Sequence, residues 1–185
     1  KNRLQLGGII LDQKNKELSF PAIYSPCSEL EVLIAHSRGR VHESLIQSNT
    51  SPFQLELMLY LLGADSKIKR KETAKKGSIV DIDLEWKNAD STISRAPVED
   101  FIFNNRRGSV MKRKGWHFPG SPIVKTYHQA EGLGNLVLLY SNGPTVLDNF
   151  SQDSEFDGNY VPKKNKLRPV PGSPIRVVLT VRPKK

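Results

Sequence analysis

The chain carries a single cysteine, Cys27. One thiol excludes an intrachain disulfide, an iron–sulfur cluster held by this chain alone and any zinc site built on a Cys-x-x-Cys pair. Following Pro26, it reads as a small buried apolar residue rather than a reactive nucleophile. Histidine is scarce too: His36, His42, His117 and His128 are the four, and they show neither an HExxH pattern nor any close paired spacing. The residues therefore point to no metal and no cofactor. A GxSxG nucleophile elbow is missing. No apolar run approaches the roughly 20 residues that a membrane-spanning helix needs. The sequence opens on Lys1 where an initiator Met would stand, which points to an upstream segment, either an expression tag or a removed export signal.

What the chain has in excess is positive charge, 28 Lys and Arg against 19 Asp and Glu for a net +9. That invites a polyanion. The charges gather at 67–76, 106–114, 163–168 and 184–185, in stretches that read as loops and carry no interleaved aromatics of the kind that stack bases. Solvated loop charge is the better reading, and it argues against nucleic acid. The 185 residues are enough for one substantial core.

Hydrophobic patterning marks mostly strands. Residues 6–11 and 18–24 are apolar runs around the polar turn 12–16, a hairpin signature. A second hairpin joins 30–36 to 41–48 through Ser37-Arg38-Gly39-Arg40, where Gly39 supplies conformational freedom. Residues 51–62 read as a helix, with Ser51 as N-cap, Pro52 at the first position, Gln54 at the capping-box position and Gly63 as terminator. Only Gln54, Glu56 and Tyr60 interrupt its apolar surface, so it is expected to be buried and to form much of the core. Residues 79–86 alternate, with Val80, Ile82, Leu84 and Trp86 on one face and Asp81, Asp83 and Glu85 on the other. Residues 93–95, 115–124, 136–140 and 175–181 read as further strands, 97–104 as either a short helix or an extended segment, 144–150 as a single helical turn and 151–168 as a long loop. Links too short for βαβ crossovers argue for antiparallel pairing. The expectation is an α+β fold, mostly antiparallel β-sheet, with one buried capped helix at 51–62 and at most one or two further short helices. It forms a single domain over 1–185, with the hairpin of 1–29 packed on a core of 30–185.

Few side chains carry chemistry. His42, Glu43 and Ser44 hold the ingredients of general-base or nucleophilic work. On a strand, however, His42 and Ser44 share one side while Glu43 faces away, so an orienting acid must come from elsewhere. His42 and Ser44 are thus weak catalytic candidates. His42, Glu43, Trp116 and His117 together are the candidate ligand surface, against a default in which Trp116 and Phe118 pack the core. Asp81, Asp83 and Glu85 recur at about 7 Å, too widely spaced to hold one divalent ion unaided. A ladder of ion pairs with Arg176 and Arg182 of the last strand is expected instead.

Four pieces in order resemble the YdjY-domain proteins of bacteria: Gly39-Arg40-Val41-His42-Glu43-Ser44-Leu45 with the leucine-rich helix ending at Gly63; Gly77-Ser78-Ile79-Val80 through Glu85-Trp86; Gly115-Trp116-His117-Phe118-Pro119-Gly120-Ser121; and Pro171-Gly172-Ser173-Pro174 leading into 175–183. The resemblance spans most of the chain from about residue 30. It implies no established activity. It implies a cell-envelope or secreted setting, since many members look exported or lipid-anchored. Some relatives carry ferredoxin-like cysteine clusters; with Cys27 alone this chain departs from them, and no electron transfer carries over. The expected function is a non-catalytic binding or structural module of the bacterial cell envelope, whose partner is an anionic envelope polymer or another envelope protein. The alternatives are a hydrolase-like or metal-assisted enzyme using His42 and, more weakly, a basic polyanion binder.

Overall fold

The alternating stretch at 79–86 is the wall from which the rest is built. The computed structural model describes residues 2–66, 77–141, 143–151, 158–164 and 169–183. In chain order its first half contains β1 (Arg3–Leu6), β2 (Ile9–Asp12), β3 (Glu17–Tyr24), β4 (Val32–His36), β5 (Ser44–Ser48), α1 (Pro52–Leu61), β6 (Ile79–Lys87) and β7 (Ile93–Pro97). There follow β8 (Ile102–Asn104), β9 (Ser109–Val110), β10 (Trp116–His117), β11 (Ile123–Val124), β12 (Tyr127–His128), α2 (Gln129–Leu133), β13 (Asn135–Leu138), β14 (Leu147–Asp148), β15 (Tyr160–Pro162) and β16 (Pro174–Val181).

Eight strands close on themselves in the order β3-β16-β6-β10-β14-β13-β4-β5, and the β5–β3 pairing completes the ring. Period-two alternation puts one face of each long strand inside. The register stacks the interior in layers: Leu18–Leu179–Ile82, then Phe20–Val177–Leu84, then Ala22–Ile175–Trp86 across β3, β16 and β6. These side chains belong to one apolar core that also holds Leu55, Met58 and Leu59 of α1. The outer face of β6 carries Asp81, Asp83 and Glu85. β1 and β2 extend the sheet beyond β3, β7 pairs with β6, and β8, β9 and β15 form a separate three-stranded sheet. Among the described residues no helix is long and apolar enough to cross a membrane.

Several expectations hold. β2 and β3 are the first hairpin, β6 alternates as read, and residues 97–104 combine both options, a 3-10 turn over Val98–Phe101 followed by β8. The sheet, however, is not simply antiparallel. It is a mixed barrel in which β4 pairs β5, and β13 pairs β14, in parallel. The expected second hairpin is therefore absent. After His36 the chain doubles back through Gly39 and a 3-10 turn at Val41–Glu43, then re-enters alongside β4 with Val32 opposite Ser44. Seven residues suffice where a parallel pair ordinarily uses a longer crossover, because His36 and Gly39 pack on the backbone of Gly134. The expected helical turn at 144–150 is instead β14, and the expected loop at 151–168 contributes β15. The strand expected over 115–124 is interrupted, with β10 and β11 separated at Phe118–Pro122. The basic residues at 67–76, 165–168 and 184–185 lie outside the described residues.

The capped helix forms as expected at its ends: Ser51 Oγ accepts the N–H of Gln54 at 3.2 Å, and Gly63 follows in a left-handed conformation. Its burial is only half as expected. Leu55, Met58 and Leu59 face the core, while Phe53, Leu57 and Leu61 are exposed by 50%, 41% and 54%.

Candidate functional site

The candidate ligand surface does not assemble. His42 lies in the 3-10 turn between β4 and β5, exposed, and bonds to no described residue. Ser44 opens β5, fully buried, with its Oγ–H donated to the carbonyl of Val41 at 3.0 Å. Neighbouring Arg40 draws Glu43 to 2.8 Å and Glu31 to 3.0 Å, and its guanidinium donates to Tyr140 Oη at 2.6 Å. Burial alone works against the charged form, yet Tyr140 and the two carboxylates raise the pKa of Arg40 above its ordinary value. This cluster is a clasp that holds the turn against Tyr140, just past β13, and it leaves His42 with no acid to orient it. Cys27 is half-buried beside the clasp and donates its thiol to Val41 O at 3.2 Å.

Trp116 and His117 sit far into the wall. β10 is only two residues long because Gly115 and Gly120, both at positive φ, turn the chain on either side. Trp116 is fully buried, as its packing default requires, and its Nε1–H donates to Glu99 Oε1 at 3.0 Å. His117 is 2% exposed. Its Nε2 accepts the backbone N–H of Gly77 at 2.9 Å, which places the ring proton on Nδ1, 3.2 Å from Asp148 Oδ1. A His–Asp pair is the core of many general-base sites. Here the nitrogen that would meet substrate is already occupied by a peptide N–H. Residue 77 is glycine for a steric reason, since a Cβ there would run into the carbonyl oxygen of Phe118.

A second acid–histidine pair, which the residue pattern did not reveal, joins α1 to the chain after β10. Glu56 Oε2 lies 2.8 Å from His128 Nε2 and accepts the N–H of Ser121 at 2.9 Å. His128 Nδ1 accepts the N–H of Glu131 at 3.1 Å, so the ring proton faces Glu56. Tyr60 Oη donates to the other Glu56 oxygen at 3.3 Å and contacts Ser66 Oγ. One turn on, Glu131 Oε2 accepts from Ser51 Oγ at 2.6 Å and from the N–H of Phe53 at 3.0 Å. Burial works to raise the pKa of Glu131, but these two donors hold it below the ordinary range. A carboxylate on the first N–H groups of α1 also complements the helix dipole. The only early signal was that Glu56 stood alone in an apolar helix.

On the outer face of β6 the ion-pair ladder forms as expected and is larger. Arg182 holds Asp81 at 2.7 Å, and Arg176 holds Glu85. Arg95 reaches Asp83 at 2.9 Å, Glu85 at 3.3 Å and Glu17 at 3.1 Å, while Arg113 reaches Asp83 at 3.1 Å. Hydrogen bonding to Arg182 is the chief reason the Asp81 carboxyl is held below its ordinary value. No group of three or more His, Cys, Asp or Glu positioned to hold a metal ion occurs among the described residues. A recess of about 410 Å³, broadly open to solvent, lies at the β6–β7–β16 end between Trp86, Ile93 and Pro174. It contains no histidine.

Compared with known proteins, no family model matches the chain, no curated protein matches it, and no solved structure does.

Proposed function

We propose that the chain is a non-catalytic binding or structural module of the bacterial cell envelope. The observation that supports this most is the state of its acid–base groups. His117–Asp148 is buried and Glu56–His128 largely so, and the histidine nitrogen left over in each pair accepts a backbone N–H. His42, the candidate base that is open to solvent, has neither an acid nor a nucleophile bonded to it. General-base catalysis needs a proton-accepting atom within reach of substrate, and these pairs offer none. The envelope setting rests on the ordered motifs that resemble the YdjY-domain proteins.

The hydrolase-like alternative makes a distinct demand. Purified protein would be assayed on chromogenic ester, phosphate and anilide substrates, with and without added zinc or manganese. The module reading predicts no turnover above the buffer rate that depends on His42 or Ser44. Turnover abolished by His42→Ala, with an unchanged melting temperature, would establish the enzyme instead.

A further inference from the structure

Among the described residues, 14 large hydrophobic side chains stand exposed, and eight of them sit on three adjoining elements: α1, the β11–β12 hairpin and α2. Phe53, Leu57 and Leu61 recur every four residues and form a stripe about 12 Å long on the solvent side of α1. Beside them the hairpin displays Ile123, Val124 and Tyr127, exposed by 63%, 49% and 58%. The two parts are tied edge to edge. The Phe53 ring meets the His128 ring edge-on at 5.4 Å, and Glu56 bonds the same histidine. Contiguous apolar surface of this kind marks an interaction site.

We propose that this face docks on an anionic lipid bilayer. The proposal rests on the reading of the chain as a binding module and names its partner. Charge decides the occupant. Glu56, the one charged residue of α1, is sealed against His128 and Ser121, and Glu131 is committed to the α1 N-terminus and to Arg38 at 3.8 Å. The hairpin turn places exposed Lys125 between Val124 and Tyr127. The chain is +9 overall. A second copy on this face would set like charge against like, whereas an anionic bilayer complements it. The side-chain types also suit an interface: aliphatic groups enter the acyl boundary, a tyrosine hydroxyl stays at headgroup level and a lysine extends toward phosphate. Apolar insertion alone gives marginal binding, and a second, electrostatic signal makes it stable. The exposed apolar side chains with Lys125 among them, and the +9 charge of the chain, supply the two signals.

The test is sedimentation of the purified chain with phosphatidylcholine vesicles, plain or containing about one-third phosphatidylglycerol. The expected result is binding to the anionic vesicles about tenfold above the plain ones, reduced about tenfold by the neutral double change Leu57→Gln with Ile123→Thr, and screened by salt. Ile93→Thr removes an exposed apolar group on β7, an element outside this face, and is expected to leave sedimentation unchanged. Because all three side chains are exposed, the melting temperature should not move, and circular dichroism checks this. Failure to sediment overturns the proposal. So does binding that survives the double change, which would reduce the effect to bulk charge. A dimer in solution that the double change dissociates overturns it as well, by giving the face to a second copy. Failure of the module reading is separately visible, as turnover lost in His42→Ala.

Discussion

Glu99 sits with one carboxylate oxygen 3.0 Å from Trp116 Nε1 and the other buried without a hydrogen-bond partner. Burial pushes its carboxyl up to about 7, against a pull from Arg113 and a further push from Asp81; Arg182, itself bound to Asp81, completes the charges around it. The folded pKa lies above the unfolded value, so this residue's contribution to stability is complete below about 4.5. It is lost as pH rises through about 7, a total of roughly 3 kcal/mol. Glu99→Gln keeps an acceptor for Trp116 and removes the titration. Urea melts at pH 5 and pH 8 should show wild type losing stability between the two and the variant losing much less. Equal losses in both would place the pH dependence elsewhere.

At the scale of the element, α1 divides sharply. Leu59 has no exposed surface and Leu57 is 41% exposed. Leu59→Ala is expected to cost about 2–5 kcal/mol through lost burial and the cavity left behind. Leu57→Ala should stay within about 1 kcal/mol. Chemical denaturation that ranks the two in the opposite order would contradict the orientation of the helix. The same helix shows what the residue pattern could and could not deliver. Ser51, Pro52 and Gly63 announced its limits because caps are local chemistry. Its burial was overstated because an all-round apolar helix fits two situations, enclosure by protein on every side or one face left for a partner, and the pattern is the same in both. β6 was legible down to its faces, since alternation over nine residues admits one register of inside and outside. The Arg176 and Arg182 ladder followed from that register. The β4–β5 pair was not legible. Two short apolar runs around a glycine turn are the signature of a hairpin, whereas the parallel pairing goes with a long-range contact of Gly39 with Gly134. For the same reason the residue pattern puts His42 on a strand with Ser44, whereas it lies in the turn. The Glu56–His128 pair joins residues 72 apart in the chain, and nothing local foretells such a contact.

At the scale of the whole molecule, the barrel closes through long strands on one side and very short ones on the other. β3, β16 and β6 share seven-residue registers, whereas β10 joins β6 through two residue pairs and β14 through one. Backbone pairing is sparse there, and side chains supply the connection. His117 links three segments at once: its own strand, the chain entering β6 at Gly77 and Asp148 of β14. Glu56 and His128 do the same between α1 and the end of the β11–β12 hairpin. On the proposed reading, these acid–histidine pairs fasten the barrel rather than serve a reaction. The most direct measurement is the unfolding free energy of His117→Ala alongside its activity on the substrate panel. The change takes the partner from the Gly77 N–H and strands the buried Asp148 carboxylate, so a loss of about 2–4 kcal/mol is expected with no change in turnover. Stability within about 0.5 kcal/mol of wild type, together with turnover that the substitution abolishes, would contradict it.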